Sequence, residues 1–348
     1  MLYIVSVRRQ QRGGFHSLFR FGIMAVLCLL ILSGCDFNPS QLLVPAASTV
    51  TPTAKSVTHT TSSQDASQLQ EAYQQARHDL ARKFAGPNGW TWSTNLPGHR
   101  LVLFYGNPLS SEMGPIGRYS DDELIAKLNE QAQVYADLDP MHPVVPGIDY
   151  VTPVVQPSPM ADNTWTYRMP DESISHYIDV ANSHHALFFF DMQVGHSSVQ
   201  HEVEHVWQYL RQPGVELSLD PEFDMPPGAI PDQVFGHMNA AEINWTIDKL
   251  SQLVSSEHLP PKILIVHQFL RQMLPDWQNI RTKPGVQLVT CVDGFGPPNE
   301  KIDDYRVFDK EQLIQYPGMK LFYKLDNPLM TPQQTLALDP SPLMVMYQ

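Results

Sequence analysis

The chain has 348 residues and carries 23 lysines and arginines against 36 aspartates and glutamates, a formal net charge of −13. That balance excludes a nucleic-acid partner as the natural reading, because phosphate recognition needs a basic face and no basic run occurs beyond the first residues. Three cysteines in such a length exclude a disulfide-built scaffold.

At the N-terminus, Arg8, Arg9, Arg12 and Arg20 form a positive region, and residues 21–32 form an apolar segment too short to suit a permanent bilayer-spanning helix. Leu32-Ser-Gly-Cys35 follows directly. This order resembles the signals of bacterial lipoproteins. The resemblance implies that residues 1–34 are a removed signal peptide and that Cys35 carries the lipid that holds the protein to the bilayer at its extracytoplasmic face. Residues 35–64 are mostly Ser, Thr, Pro and Ala, a composition that cannot offset the entropy of ordering, and are expected to be a disordered tether. With Cys28 in the signal and Cys35 acylated, Cys291 remains within an apolar run, where it reads as a small core residue.

Residues 65–348 are long enough for one large core. Leu69, Tyr73, Ala76, Leu80 and Phe84 have helical spacing, which predicts an added N-terminal helix over 68–84. Strands are then expected at 101–106, 150–156, 186–194, 215–220, 262–267, 286–293, 320–324 and 343–347. Helices are expected between them at 121–137, 171–183, 198–211, 239–254, 269–281 and 300–315, with a short one after Thr331. Leu187-Phe-Phe-Phe190 and Ile263-Leu-Ile-Val266 are apolar on both faces, as parallel strands enclosed by helices must be. Eight such units predict a (β/α)₈ barrel, an α/β fold whose sites form at the C-terminal strand ends; a doubly wound open sheet is the runner-up. No helix follows the eighth strand, and the N-terminal helix is expected to compensate.

On the fourth expected strand, Val215-Glu-Leu-Ser-Leu-Asp-Pro-Glu-Phe-Asp224 runs into three acids, Asp220, Glu222 and Asp224, at alternating positions that share one face of extended chain. Other strands end in Asp191 and Gln193, His267 and Gln268, and Asp293. With Tyr105, Tyr323 and Asp326 these would line one rim. Carboxylates crowded at a rim raise one another's pKa, which is how a general acid survives near neutral pH. Glycoside hydrolysis uses such a pair most directly. The assignment is Glu222 as acid with Asp220 holding its proton, Asp293 or Asp326 opposite, and Asp191 in support. Tyr105, Gln193, His267, Gln268, Asp224, Tyr323 and Asp326 are expected to bind the substrate, with Trp165, Tyr167 and Arg168 as a candidate sugar-stacking wall.

Two other readings stand beside this one. The same rim on a non-catalytic lipoprotein would bind a glycan or small ligand. Alternatively, Asp191, Asp220, Glu222, His267 and Asp293 would hold a divalent cation that activates water, although no metal or other cofactor is assigned. His201-Glu-Val-Glu-His205 satisfies the H-E-x-x-H zinc pattern. Val199, Val203, Val206, Trp207 and Leu210 nonetheless form the apolar stripe of that helix, which turns both histidines to water.

Asp220-Pro-Glu222 is similar to the Asp-x-Glu after the corresponding strand of family 18 chitinases, which implies that Glu222 donates the proton; the acidic repeat preceding it there is replaced by Glu216-Leu-Ser-Leu219. More of the chain, 101–348, resembles a group of exported bacterial proteins and lipoproteins sharing Phe104-Tyr-Gly-Asn-Pro108, Leu219-Asp-Pro-Glu222, Ile265-Val-His-Gln-Phe269, Val292-Asp-Gly-Phe295 and Lys320-Leu-Phe-Tyr323. That resemblance implies the fold and export, and leaves the chemistry to the residues.

Overall fold

A computed structural model describes residues 96–348; the signal segment, Cys35, the tether and helix 68–84 lie outside the described residues. The described chain runs β1 (Arg100–Gly106), α1 (Asp121–Leu138), β2 (Val144–Val151), a ribbon of β3 (Val154–Val155) and β4 (Thr166–Tyr167), α2 (Asp171–Ser183) and β5 (Leu187–Met192). It continues through α3 (Val199–His205), α4 (Trp207–Leu210), β6 (Val215–Leu219), α5 (Ala240–Glu257), β7 (Lys262–Gln268), β8 (Val286–Val292), α6 (Pro298–Tyr305), β9 (Tyr316–Leu321), α7 (Pro332–Leu336) and β10 (Met344–Tyr347). Eight strands pair in parallel and close in the order β1-β10-β9-β8-β7-β6-β5-β2. This is the (β/α)₈ barrel. Among the described residues no helix is long and apolar enough to cross a membrane.

The period of two along each strand divides the core into two shells. Leu101, Leu103, Leu187, Phe189, Ile263, Ile265, Val289, Met344 and Met346 fill the barrel interior. Their neighbours Val102, Phe188, Phe190, Leu217, Leu264, Leu288 and Val345 face outward against Leu124, Leu128, Ile174, Ile178, Val203, Ile243 and Ile247 of the helices. Helix starts are set by local chemistry. At α5, Asn239 Oδ1 accepts the N–H groups of Ala241 and Glu242 at 3.0 and 3.2 Å, and Glu242 accepts the Asn239 N–H in return at 3.0 Å.

The elements depart from expectation where proline and glycine intervene. Strand 150–156 is instead β2 at Val144–Val151, six residues earlier. Pro146 and Gly147 interrupt the apolar pattern, yet Pro146 sits just before pairing with β5 begins at Gly147. Strand 320–324 is likewise β9 at Tyr316–Leu321, its start masked by Pro317 and Gly318. The helix expected over 269–281 is replaced by two 3₁₀ turns, Arg271–Met273 and Trp277–Asn279, because Pro275 between them has no N–H and disfavours helical backbone at Leu274. Helix 198–211 is divided at Val206, and helix 300–315 ends at Tyr305 before a π turn, Arg306–Glu311.

Candidate active site

At the C-terminal ends of the strands the inward positions switch from apolar to polar. Tyr105 is level with Asp149, Asp191 with Ser218, and His267 with Cys291. The alternation that seals the barrel with Leu103, Phe189 and Ile265 therefore delivers Tyr105, Asp191 and His267 two residues later. Beyond β6, Pro221–Phe223 makes one 3₁₀ turn, and Asp220 Oδ1 accepts the Glu222 N–H at 3.2 Å. That turn keeps both acids over the barrel.

His267 is the hub. Its Nε2 lies 3.2 Å from Asp191 Oδ2 and 3.1 Å from Ser218 Oγ, and its Nδ1 lies 3.3 Å from Asp293 Oδ2, an ion pair rather than an aligned hydrogen bond. Burial opposes charge on the imidazole, but the Cys291 sulfur and the carboxylates of Asp191 and Asp293 outweigh it and raise its pKa well above the ordinary value. Lys320 adds a second cation, 4.0 Å from Asp293 Oδ2 and 3.5 Å from the centre of the Tyr105 ring. Burial, then the charges of Asp191 and Asp220, raise the Tyr105 pKa.

The carboxylates divide by environment. Asp293 is faced by two cations, His267 and Lys320. Asp220 is crowded instead: burial drives its pKa up and the charges of Asp191, Glu222 and Asp293 add to this, with His267 opposing. Asp220, Glu222 and Asp293 each present an oxygen, and the three oxygens lie within 4.8 Å of one another. A second group, Asp149, Asp191 and His267, is equally tight. Such a centre suits proton transfer with an adjacent nucleophile, or cation binding.

The structure thus brings together Glu222, Asp220, Asp293, Asp191, His267 and Tyr105, with Gln193 beside them: its Nε2 donates to Tyr105 Oη at 3.4 Å and its Oε1 accepts the Val155 N–H at 3.0 Å. Four expected residues stand elsewhere. Gln268 follows inward His267 and so turns outward, donating to the Leu270 carbonyl at 3.3 Å. Tyr323 lies beyond the end of β9 in the helix shell, stacked on Tyr347 with ring centres 5.2 Å apart and bonded to Gln131. Asp326 clamps a loop, accepting the Gly296 and Phe322 N–H groups at 3.0 and 2.9 Å and pairing with buried Lys301 at 3.3 Å. Asp224 faces Glu242 at the start of α5, where burial first, and then that carboxyl, push its pKa up to about 7.

Of the sugar-wall candidates, Arg168 is committed to Glu202 and Asp162, while Trp165 stands edge-on to His196 at 5.4 Å. His201 and His205 are exposed, as the helix stripe predicts. Sequence reasoning missed Asp149, Ser218 and Lys320. Asp149 lay before the misplaced start of β2, although Val145, Gly147, Asp149 and Val151 alternate inward. Lys320 was taken as a strand start when it is the inward residue near the end of β9.

No family model matches the chain, and no curated protein matches it. Among solved structures it is similar to the spore coat polysaccharide biosynthesis protein SpsE of Bacillus subtilis, with 11% identity, 72% of this chain covered and a TM-score of 0.41. The chain spans 59% of SpsE. It is also similar to the catalytic domain of a hyperthermophilic chitinase from Pyrococcus furiosus, with 11% identity, 75% of this chain and 86% of that chain covered, and a TM-score of 0.30.

Proposed function

We propose that this protein is a lipid-anchored, extracytoplasmic hydrolase that cleaves glycosidic bonds of a polysaccharide by double displacement. The observation that carries the reading is the Asp220, Glu222 and Asp293 group, whose oxygens lie within 4.8 Å of one another above the barrel. Retaining glycosidases hold their two carboxyls about 5–5.5 Å apart, whereas inverting ones leave about 6.5–9.5 Å for a water. Nearest oxygens within 4.8 Å favour the closer arrangement.

In the first step Glu222 gives its proton to the leaving glycosidic oxygen while the Asp293 carboxylate attacks the anomeric carbon, so the C–O bond breaks and a glycosyl ester forms. In the second, water attacks that carbon, its proton passes to the Glu222 carboxylate, and Asp293 is released as a carboxylate. His267 and Lys320 face Asp293, and Asp220 crowds Glu222. Environments that differ in this way separate the acid from the nucleophile. Gln193 and Tyr105 supply donors for sugar hydroxyls. Cys35 and the tether would place the barrel at the outer membrane surface, within reach of extracellular or wall polymers.

The test compares the wild type with Glu222→Gln on a panel of polysaccharides and aryl glycosides. Loss of the general acid should lower kcat by about 10²- to 10⁴-fold on unactivated substrates while ligand binding persists. A wild type that binds glycans without turning any over would make this a binding lipoprotein and overturn the hydrolase reading.

A further inference from the structure

We infer that Asp149, Asp191 and His267 form a binding site for one divalent transition-metal ion of the zinc or manganese class. The three residues come from β2, β5 and β7, and one oxygen of each carboxylate and one imidazole nitrogen all lie within 4.8 Å of one another. His267 Nε2 is 3.2 Å from Asp191 Oδ2 and 4.0 Å from Asp149 Oδ2. Three donors bonded to a zinc ion stand about 3.0–3.4 Å apart, so the Asp191–His267 pair already has the required spacing and Asp149 needs to close on His267 by about 1 Å or less.

A second observation is independent of this clustering. Asp149 is 0% exposed, and among the described residues neither of its oxygens has a hydrogen-bond partner; the same holds for Asp191 Oδ1. Buried carboxyl oxygens ordinarily accept at least one hydrogen bond. A cation bound by the oxygens would satisfy them.

The donor chemistry selects the ion. Once metal binding displaces the His267 proton, two carboxylates and a neutral imidazole sum to −2, the complement of a divalent charge; the imidazole favours zinc over calcium and magnesium, and the two carboxylates admit manganese. His267 Nδ1 meanwhile faces Asp293 Oδ2 at 3.3 Å, the position in which a carboxylate orients a metal-bound histidine. Ser218 Oγ lies 3.1 Å from Nε2 and 3.5 Å from Asp191 Oδ2, on the border of the same space. The inference does not rest on the glycosidase reading, since neither Asp220 nor Glu222 is a ligand.

The full chain, stripped with EDTA, is titrated calorimetrically with Zn²⁺, Mn²⁺ and Mg²⁺, and bound metal is counted by elemental analysis after gel filtration. One zinc or manganese ion per chain is expected, with Mg²⁺ at least tenfold weaker. Asp149→Asn and His267→Gln should each weaken zinc binding at least tenfold, while Glu222→Gln and the exposed-helix variant His201→Ala retain it. Circular dichroism confirms that each variant is folded, and Asp149→Asn and His267→Gln report separately. A wild type that takes up no ion, or a folded Asp149→Asn that binds zinc as the wild type does, overturns the inference. Loss of turnover in Glu222→Gln with one ion still bound supports both readings, and metal uptake by a wild type without turnover removes only the glycosidase.

Discussion

Replacing Asp224 with asparagine should stabilise the protein, and by more in mild alkali than in acid. Burial and the neighbouring Glu242 carboxyl push the Asp224 pKa up from 3.8 to about 7. A raised carboxyl pKa means that the folded state holds a proton the unfolded chain releases. Stability from this group is therefore fully present below the unfolded value and is lost as pH rises towards the folded one. The rise is about 3 units, and at 1.36 kcal/mol per unit the ceiling is about 4 kcal/mol. Asp224 is only partly buried. Solvent screening and movement of Glu242 reduce the expected gain to about 1–2 kcal/mol. Asparagine keeps the size of the side chain, carries no charge and can donate to Glu242. Urea denaturation of both proteins at about pH 8 and about pH 4.5 measures the effect, with the variant's advantage several-fold larger at the higher pH. A variant that is less stable at the higher pH, or equally shifted at both, would refute the reasoning.

Other substitutions probe the barrel and the residues set aside from the site. Gly147→Ala puts a methyl group 2.5 Å from Leu103 Cδ2 inside the barrel, and this overpacking should cost about 1–3 kcal/mol in thermal denaturation. Asp326→Asn leaves buried Lys301 without its charge partner and should destabilise by about 3–5 kcal/mol in the same assay, identifying Asp326 as a structural clamp. His201→Ala, on an exposed face, should change stability by less than about 0.5 kcal/mol and leave any glycosidase activity untouched.

Barrel strands such as Leu187–Met192 and Lys262–Gln268 could be read directly, because parallel strands enclosed by helices must be apolar on both faces. The same alternation predicted which of Asp191, Asp220, His267 and Asp293 would meet. It failed where the strand start was hidden. Pro146-Gly147 and Pro317-Gly318 interrupt the apolar pattern inside the strands, and β2 and β9 were placed too late. The shift hid Asp149 and Lys320 and put Tyr323 and Asp326 at the rim. Gln268 was included although it neighbours inward His267, and a one-residue step reverses the face. Asp224 lies past a 3₁₀ turn, where strand alternation no longer applies. Partner geometry, such as the pairing of Lys301 with Asp326 or of Arg168 with Glu202, depends on contacts between distant segments that no local pattern encodes.

The central claim is that Glu222 and Asp293 act as acid and nucleophile on one sugar. Incubation with an activated 2-deoxy-2-fluoro glycoside, followed by intact-mass and peptide mass spectrometry, tests it most directly, because the fluorine slows the second step and lets the glycosyl ester accumulate. A mass gain of one fluoro-sugar, mapped to Asp293 and absent from Asp293→Asn, is the predicted result. Turnover that persists in Asp293→Asn, or an adduct on another residue, would contradict the account.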